Sequence, residues 1–347
     1  MATTTALATT QLEPAENPWG KFSATQAKEY ANNRRSYSQN LYDTVLEFHK
    51  TTGGGFESLV DVGCGPGVAV RDLGPQFTTA VGLDPSQGMI DIAQSLGGSA
   101  ASGPIIFEPC AAEQLEPSLL RKIGISGGGV DLIIAANSAH YFDPKQFWAR
   151  AARVLRPGGS VAAWFSRPVG MHKSVPNGRA IEEILSGLQK TEMEPFEKIR
   201  LRESSNGSGS TPRQLDDGVD SSSNYCGLLM PWDEQVQDPN FDETLFLHKE
   251  WSGRDTEGEE DEFFVSQPRV DLDTMERIMS ATAGPYLEWK KANPGLVGTE
   301  QDLLKRSRRE IERLQREVGV KAGEEWVKSS VMGTLVIVKK KTKCSVR

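Results

Sequence analysis

This sequence is poor in the features that would assign it to several broad classes. It has no run of 18 apolar residues, so no membrane-spanning helix is expected. Its four cysteines, Cys64, Cys110, Cys226 and Cys344, lie far apart. They form neither a metal-ligand spacing nor a disulfide framework, so no metal site is expected. Positive charge is in deficit: 39 Lys and Arg stand against 47 Asp and Glu, a net charge of -8. That balance gives no reason to expect a nucleic-acid partner. Residues 1–18 lack the basic start and apolar centre of a secretory signal, which with the cysteine usage points to a reducing, cytoplasmic setting. Nothing in the sequence speaks to oligomeric state.

Apolar residues are also scarce. They make up 37% of the 347 residues, and the mean hydropathy is -0.43. Part of the chain is therefore expected not to pack. Residues 1–18 read as a disordered tail, and residues 203–224 (ESSNGSGSTPRQLDDGVDSSSN) as a disordered insertion. Residues 254–262 (RDTEGEEDE) read as a solvated acidic loop.

Against that background, residues 59–84 stand out: LVDVGCGPGVAVRDLGPQFTTAVGLD. A short apolar run with β-branched residues predicts a buried strand. Glycines follow at 63, 65 and 67, then a helix start at 68–73, then a second apolar run that ends on Asp84. The order is strand, glycine loop, helix, strand, acid, which is a βαβ unit. A glycine loop that opens a helix lets a ligand approach free backbone N–H groups. Asp84 falls at the carboxyl end of the second strand, where open α/β sheets bind ligands, and a carboxylate there can accept both hydroxyls of a ribose. A nucleoside derivative is the expected ligand. The dinucleotide fingerprint G-x-G-x-x-G fails at its third glycine, which here is Val68, and Pro66 removes one N–H.

The pattern D-x-G-x-G-x-G from Asp61 to Gly67, with Asp84-Pro85 following, resembles the first two motifs of class I S-adenosylmethionine (SAM)-dependent methyltransferases. The resemblance implies SAM as cofactor, with Asp61 near its methionine end, Gly63, Gly65 and Gly67 beneath it, and Asp84 and Pro85 at its ribose. Met89, on the predicted helix 85–96, would then pack near the cofactor. Ala112 and Glu113, after a predicted strand at 105–107, resemble the pair that holds adenine in such enzymes. The predicted fourth strand, 130–136, leads into Asn137-Ser138-Ala139-His140-Tyr141-Phe142. That run resembles S-x-x-A-x-H-W-F of fungal methyltransferases of the trans-aconitate and cantharidin-resistance type, with Tyr141 in place of Trp. It puts Asn137 at the cofactor, His140 as the candidate general base and Tyr141 at the substrate. The opening segment E-Y-A-N-N-R-R-S-Y resembles the same family, with Tyr30, Arg34 and Tyr37 matching its substrate-bordering residues, although Arg35 and Ser38 replace prolines. The turn Arg156-Pro157-Gly158-Gly159 is a further class I feature, leading into a strand at 160–165.

The resemblance implies an α/β, Rossmann-like fold: a seven-stranded, mostly parallel sheet with helices on both faces and an antiparallel last strand. Residues 19–347 would form one methyltransferase domain, with a helical lid from 171–240 and the late helices. The implied activity is methyl transfer to an oxygen, carboxylate or hydroxyl, of a small molecule. Two other classes compete. A nicotinamide-dependent oxidoreductase is disfavoured by Val68. A non-catalytic SAM-binding or interaction protein would need the same motifs.

Overall fold

The computed structural model describes residues 36–125, 128–193, 228–251, 263, 269–282 and 284–342. The expected tail at 1–18, the insertion at 203–224 and the acidic loop at 254–262 lie outside the described residues. Replacing 203–224 with a short Gly-Ser linker is expected to leave the melting temperature nearly unchanged, because the segment has few side chains that repay ordering entropy. A fall of more than ~4 °C, or over ~1 kcal/mol in a chain of this size, would show that it packs.

Helix α1 (Gln39–Thr51) is capped by Ser38, whose Oγ accepts from the Leu41 N–H. It buries Leu41, Tyr42, Val45 and His49. Strand β1 (Ser58–Val62) is buried throughout and runs into helix α2 (Val68–Leu73). Strand β2 (Thr79–Asp84) follows, then helix α3 (Gln87–Leu96), which Ser86 caps by accepting from the Met89 N–H. Strand β3 is Ile106–Pro109, and before it Ser99–Ala100 pairs with Gly103–Pro104 as a short hairpin. After helix α4 (Pro117–Lys122) and strand β4 (Val130–Ala136) comes helix α5 (Pro144–Val154), with Asp143 as its cap and Pro144 at its first position.

Strand β5 (Leu155–Met171) is much longer than the expected 160–165. The predicted turn at 156–159 is taken up inside the strand, where the register with β4 shifts and Gly158 has φ +77°. Helix α6 (Gly178–Leu188), strand β6 (Phe241–Trp251), helices α7 (Leu272–Thr282), α8 (Gly284–Ala292) and α9 (Leu303–Glu317), and strand β7 (Ser329–Lys340) follow.

The strands order as β3-β2-β1-β4-β5-β7-β6. β1 pairs in parallel with β2 and β4, β2 with β3, and β4 with β5. β7 runs antiparallel between β5 and β6. This is the expected seven-stranded, mostly parallel sheet, with its direction of winding reversing between β1 and β4. Side chains alternate strictly across it. Val60, Val62, Ile133 and Ala135 pack with Phe147, Trp148 and Ala151 of α5 on one face. Leu59, Leu132 and Ile134 pack with α1, α2 and α3 on the other. A separate apolar cluster joins α6, α7 and α9 through Ile181, Met275, Ile311 and Leu314.

Charge is buried at the amino ends of the strands. Asp131 Oδ2 accepts from the backbone N–H groups of Glu57 (3.0 Å) and Ser58 (2.8 Å). Its Oδ1 faces Arg156 Nη1 at 2.9 Å. Lys339 is 1% exposed with no hydrogen-bond partner for Nζ, and burial lowers its ammonium to about 8 although Asp131 pulls the other way.

Candidate cofactor and active site

Three strand ends and one helix converge on one cleft. The reversal between β1 and β4 leaves a gap at their carboxyl ends, since the crossovers on either side run to opposite faces. β1 delivers the loop 63–67, β2 delivers Asp84 and Pro85, α3 delivers Met89, and β4 delivers Asn137, Ser138, Tyr141 and Phe142. Tyr37, just before α1, closes one side. The cleft encloses about 740 Å³ including its mouth to solvent.

The loop is shaped by its glycines. Gly63 has φ +71°, and a Cβ there would stand 2.5 Å from Ser138 Cβ. Gly67 has φ +83°, and a Cβ there would stand 2.7 Å from Phe107 Cε1. Both positions thus need the absence of a side chain for conformation and for space. Asp84 holds the loop from the side. Its Oδ2 accepts from the Gly65 N–H and its Oδ1 from the Ser86 N–H, each at 2.9 Å. Burial raises its carboxyl above the ordinary carboxylate range, and these two N–H groups oppose the shift.

Asn137 has φ +55°, the left-handed region that Asn tolerates better than most residues. Its backbone N–H donates to Trp164 O (2.8 Å), and its Oδ1 accepts from the Ser166 N–H (2.7 Å). The same side chain's Nδ2 donates to the Tyr37 hydroxyl at 3.2 Å. Asn137 therefore straps β4 to β5 and fixes Tyr37, whose ring sits edge-on to Trp164 at 5.3 Å. Ser138 donates to Val62 O at 2.8 Å and ties the end of β4 to the end of β1.

Of the expected site residues, the cleft brings together Tyr37, Gly63, Gly65, Asp84, Pro85, Met89, Asn137 and Tyr141. Asp61, fully buried in β1, and Gly67, at the far end of the loop, are not among the residues that line the cleft. Ala112 is buried, and Glu113 turns away, its Oε1 accepting from the Asp143 N–H at 2.8 Å. His140 also lies off the wall, between the rings of Tyr141 (4.0 Å) and Phe165 (5.2 Å). Its Nδ1 is buried without a partner, and burial lowers the imidazole to about 4. Tyr30 and Arg34 lie outside the described residues. Cys64, Ser138 and Phe142 line the cleft although only their neighbours were singled out in the sequence. Among the described residues no cluster of His, Cys, Asp and Glu is placed to hold a metal ion, and no helix is long and apolar enough to cross a membrane.

The residues fit a cationic nucleoside such as SAM. A ribose can meet Asp84, the loop has no Cβ where backbone must approach a ligand, and neither oxygen of the buried Asp61 carboxyl makes a hydrogen bond of normal geometry.

Comparison with known proteins agrees with that fit. Residues 60–163 match the family described as "Methyltransferase domain". A Saccharomyces cerevisiae protein named "Probable S-adenosylmethionine-dependent methyltransferase CRG1" is 31% identical over 40% of this chain and 45% of its own length. Methyltransferase ptaI of Pestalotiopsis fici is 29% identical over 41% of this chain and 43% of its own. The chain thus matches less than half the length of these curated relatives. Among solved structures, Haemonchus contortus phosphoethanolamine N-methyltransferase 2 aligns over 92% of this chain and 58% of its own, at 12% identity and a TM-score of 0.42. The fold assignment rests on the strand order itself. The strand order is that of a class I methyltransferase fold, and the match to the methyltransferase-domain family falls on the strands and glycine loop that build the cleft.

Proposed function

We propose that the chain is a SAM-dependent methyltransferase that methylates an oxygen of a small molecule, and that a carboxylate is the acceptor. The observation that carries this reading is the convergence of the glycine loop, Asp84 and Asn137 on one cleft at the carboxyl ends of β1, β2 and β4. In this reading Asp84 holds the ribose, the loop backbone lies under the cofactor, and Met89 and Asn137 wall it in. The bound cofactor supplies an activated sulfonium methyl. What remains for the protein is alignment and exclusion of water, which can supply ~7–11 kcal/mol of a barrier. The Asn137–Tyr37 bond holds one wall of the cleft in a fixed position, as alignment requires.

The choice of a carboxylate over a hydroxyl follows from His140. A general base works best with a pKa near the working pH. Burial takes His140 to about 4, and it stands off the cleft wall. At pH 7 it is neutral but too weakly basic to take much of a phenol's or alcohol's proton. A carboxylate is already anionic and needs no base. The opening segment is proposed to contribute Tyr30, Arg34 and Arg35, since an arginine can grip a second carboxylate of the same acid in a bidentate pair.

The test is turnover of methyl-labelled SAM with a panel of di- and tricarboxylates, phenols and alcohols, using the full chain and His140→Ala. We expect label on an acid, with His140→Ala retaining the rate to within about tenfold. Loss of a true general base would cost ~10²–10⁴-fold. Label only on phenols or alcohols, with that larger loss, would establish hydroxyl methylation with His140 as base.

A further inference from the structure

Asp61 is the last but one residue of β1, immediately before the glycine loop, and is fully buried. Neither of its oxygens makes a hydrogen bond of normal geometry, and the Val70 N–H bears on it only weakly. By strand alternation it faces the same side as Leu59, toward α2. The charged and titratable groups around it are Asp84 from β2, Cys64 from the loop and Arg71 from α2. Arg71 does not close an ion pair with it: its Nη1 is itself buried and without a partner. The Cys64 thiol is pushed far up by burial and is neutral. An unpaired buried carboxylate is costly, and a second carboxyl next to it adds to the cost. Burial, then Asp84, takes Asp61 up to about 8, with the Val70 N–H and Arg71 opposing more weakly. In the ligand-free fold Asp61 is therefore a neutral acid at pH 7.

We propose that Asp61 is the proton-releasing acid of the cofactor site: a cation docking against the 63–67 loop supplies the missing counter-charge, and the carboxyl gives its proton to solvent. This rests on the reading of the cleft as the SAM site. SAM brings two positive groups, its sulfonium and its α-ammonium. Contact is not required, because an opposite charge within ~4–6 Å favours the ionised form of an acid, and Asp61 stands two residues before Gly63, which lines the cleft. The only bond broken is the carboxyl O–H, and its proton passes to buffer. SAM binding is then linked to pH. Below about 8 the free protein holds one more proton at Asp61 than the complex does, so affinity rises with pH.

The test is calorimetry of SAM binding to the full chain between pH 6 and 7, in buffers of different ionisation heat. In that window the ligand's α-ammonium, with an ordinary pKa of ~7.7–8.0, stays protonated and does not contribute. We expect close to one proton released and about a tenfold gain in affinity over the pH unit. Asp61→Asn, of the same shape, is expected to bind SAM with neither the proton release nor the pH slope. SAM binding by the wild-type chain without proton release overturns the proposal, and that arm stands even where the variant fails to fold. Absence of SAM binding at every pH overturns the reading of the cleft itself.

Discussion

Asp84→Ala is expected to lower SAM affinity by more than tenfold in calorimetry, in a chain that remains folded. Two effects combine. The carboxylate is placed to accept ribose hydroxyls, and hydrogen bonds to a charged group contribute ~1.5–3 kcal/mol each. It also holds the loop, through the Gly65 N–H at 2.9 Å, and orders the start of α3 through the Ser86 N–H at the same distance. Alanine removes the carboxylate that both N–H groups donate to, and the glycine loop loses its lateral tie. Water can replace part of the ribose bonding, so the stated loss is a lower bound. Asp84→Asn separates the contributions. Its amide keeps one acceptor for the loop but cannot take both hydroxyls, and it should fall between wild type and alanine. Unchanged affinity in folded Asp84→Ala would remove Asp84 from the site.

The largest expected effect on stability is at the opposite end of the sheet. Asp131→Ala should cost ~3–5 kcal/mol in urea denaturation, the range for breaking a buried ion pair from one side. The loss leaves Arg156 with the Gly129 carbonyl but no carboxylate, leaves the Glu57 and Ser58 N–H groups without their acceptor, and removes the carboxylate that faces the buried Lys339. A pH dependence follows. The folded-state value of Lys339 lies below its unfolded value, so between about 8 and the ordinary lysine range the unfolded chain binds more protons. In that window this residue's contribution to stability rises with pH. Without Asp131 the ammonium is still harder to keep charged. The stability difference between variant and wild type should therefore shrink on moving from pH 7 to pH 9. A cost under ~1 kcal/mol, or a difference that grows with pH, would contradict this account of the cluster.

The parts of the fold set by local pattern could be read from the sequence. The β1–α2–β2 unit announces itself because buried parallel strands are short apolar runs, and because the loop conformation demands glycine at 63 and 67. Asp84, Pro85, Met89 and Asn137 could be placed at the cleft since each ends or follows a strand on the carboxyl side. Other features depend on contacts distant in sequence. β5 extends to Met171 because β7 pairs along it, and nothing within 166–171 announces that partner. The Asn137–Tyr37 bond joins residues 100 positions apart. Glu113 has a role the sequence did not announce: its carboxylate accepts from the Asp143 N–H at the start of α5, 30 positions away. His140 falls in the expected stretch, but only the packing of Tyr141 and Phe165 around it reveals how weak a base it is.

The central claim is that the cleft between β1 and β4 is the cofactor site of a methyltransferase. A crystal structure of the full chain with S-adenosylhomocysteine tests it most directly. The account predicts the nucleoside in that cleft, its ribose hydroxyls on Asp84, its backbone contacts on the 63–67 loop, and Asn137 and Met89 against it. The ligand bound elsewhere, or bound there with Asp84 more than ~4 Å from either hydroxyl and so beyond hydrogen-bond reach, would contradict it.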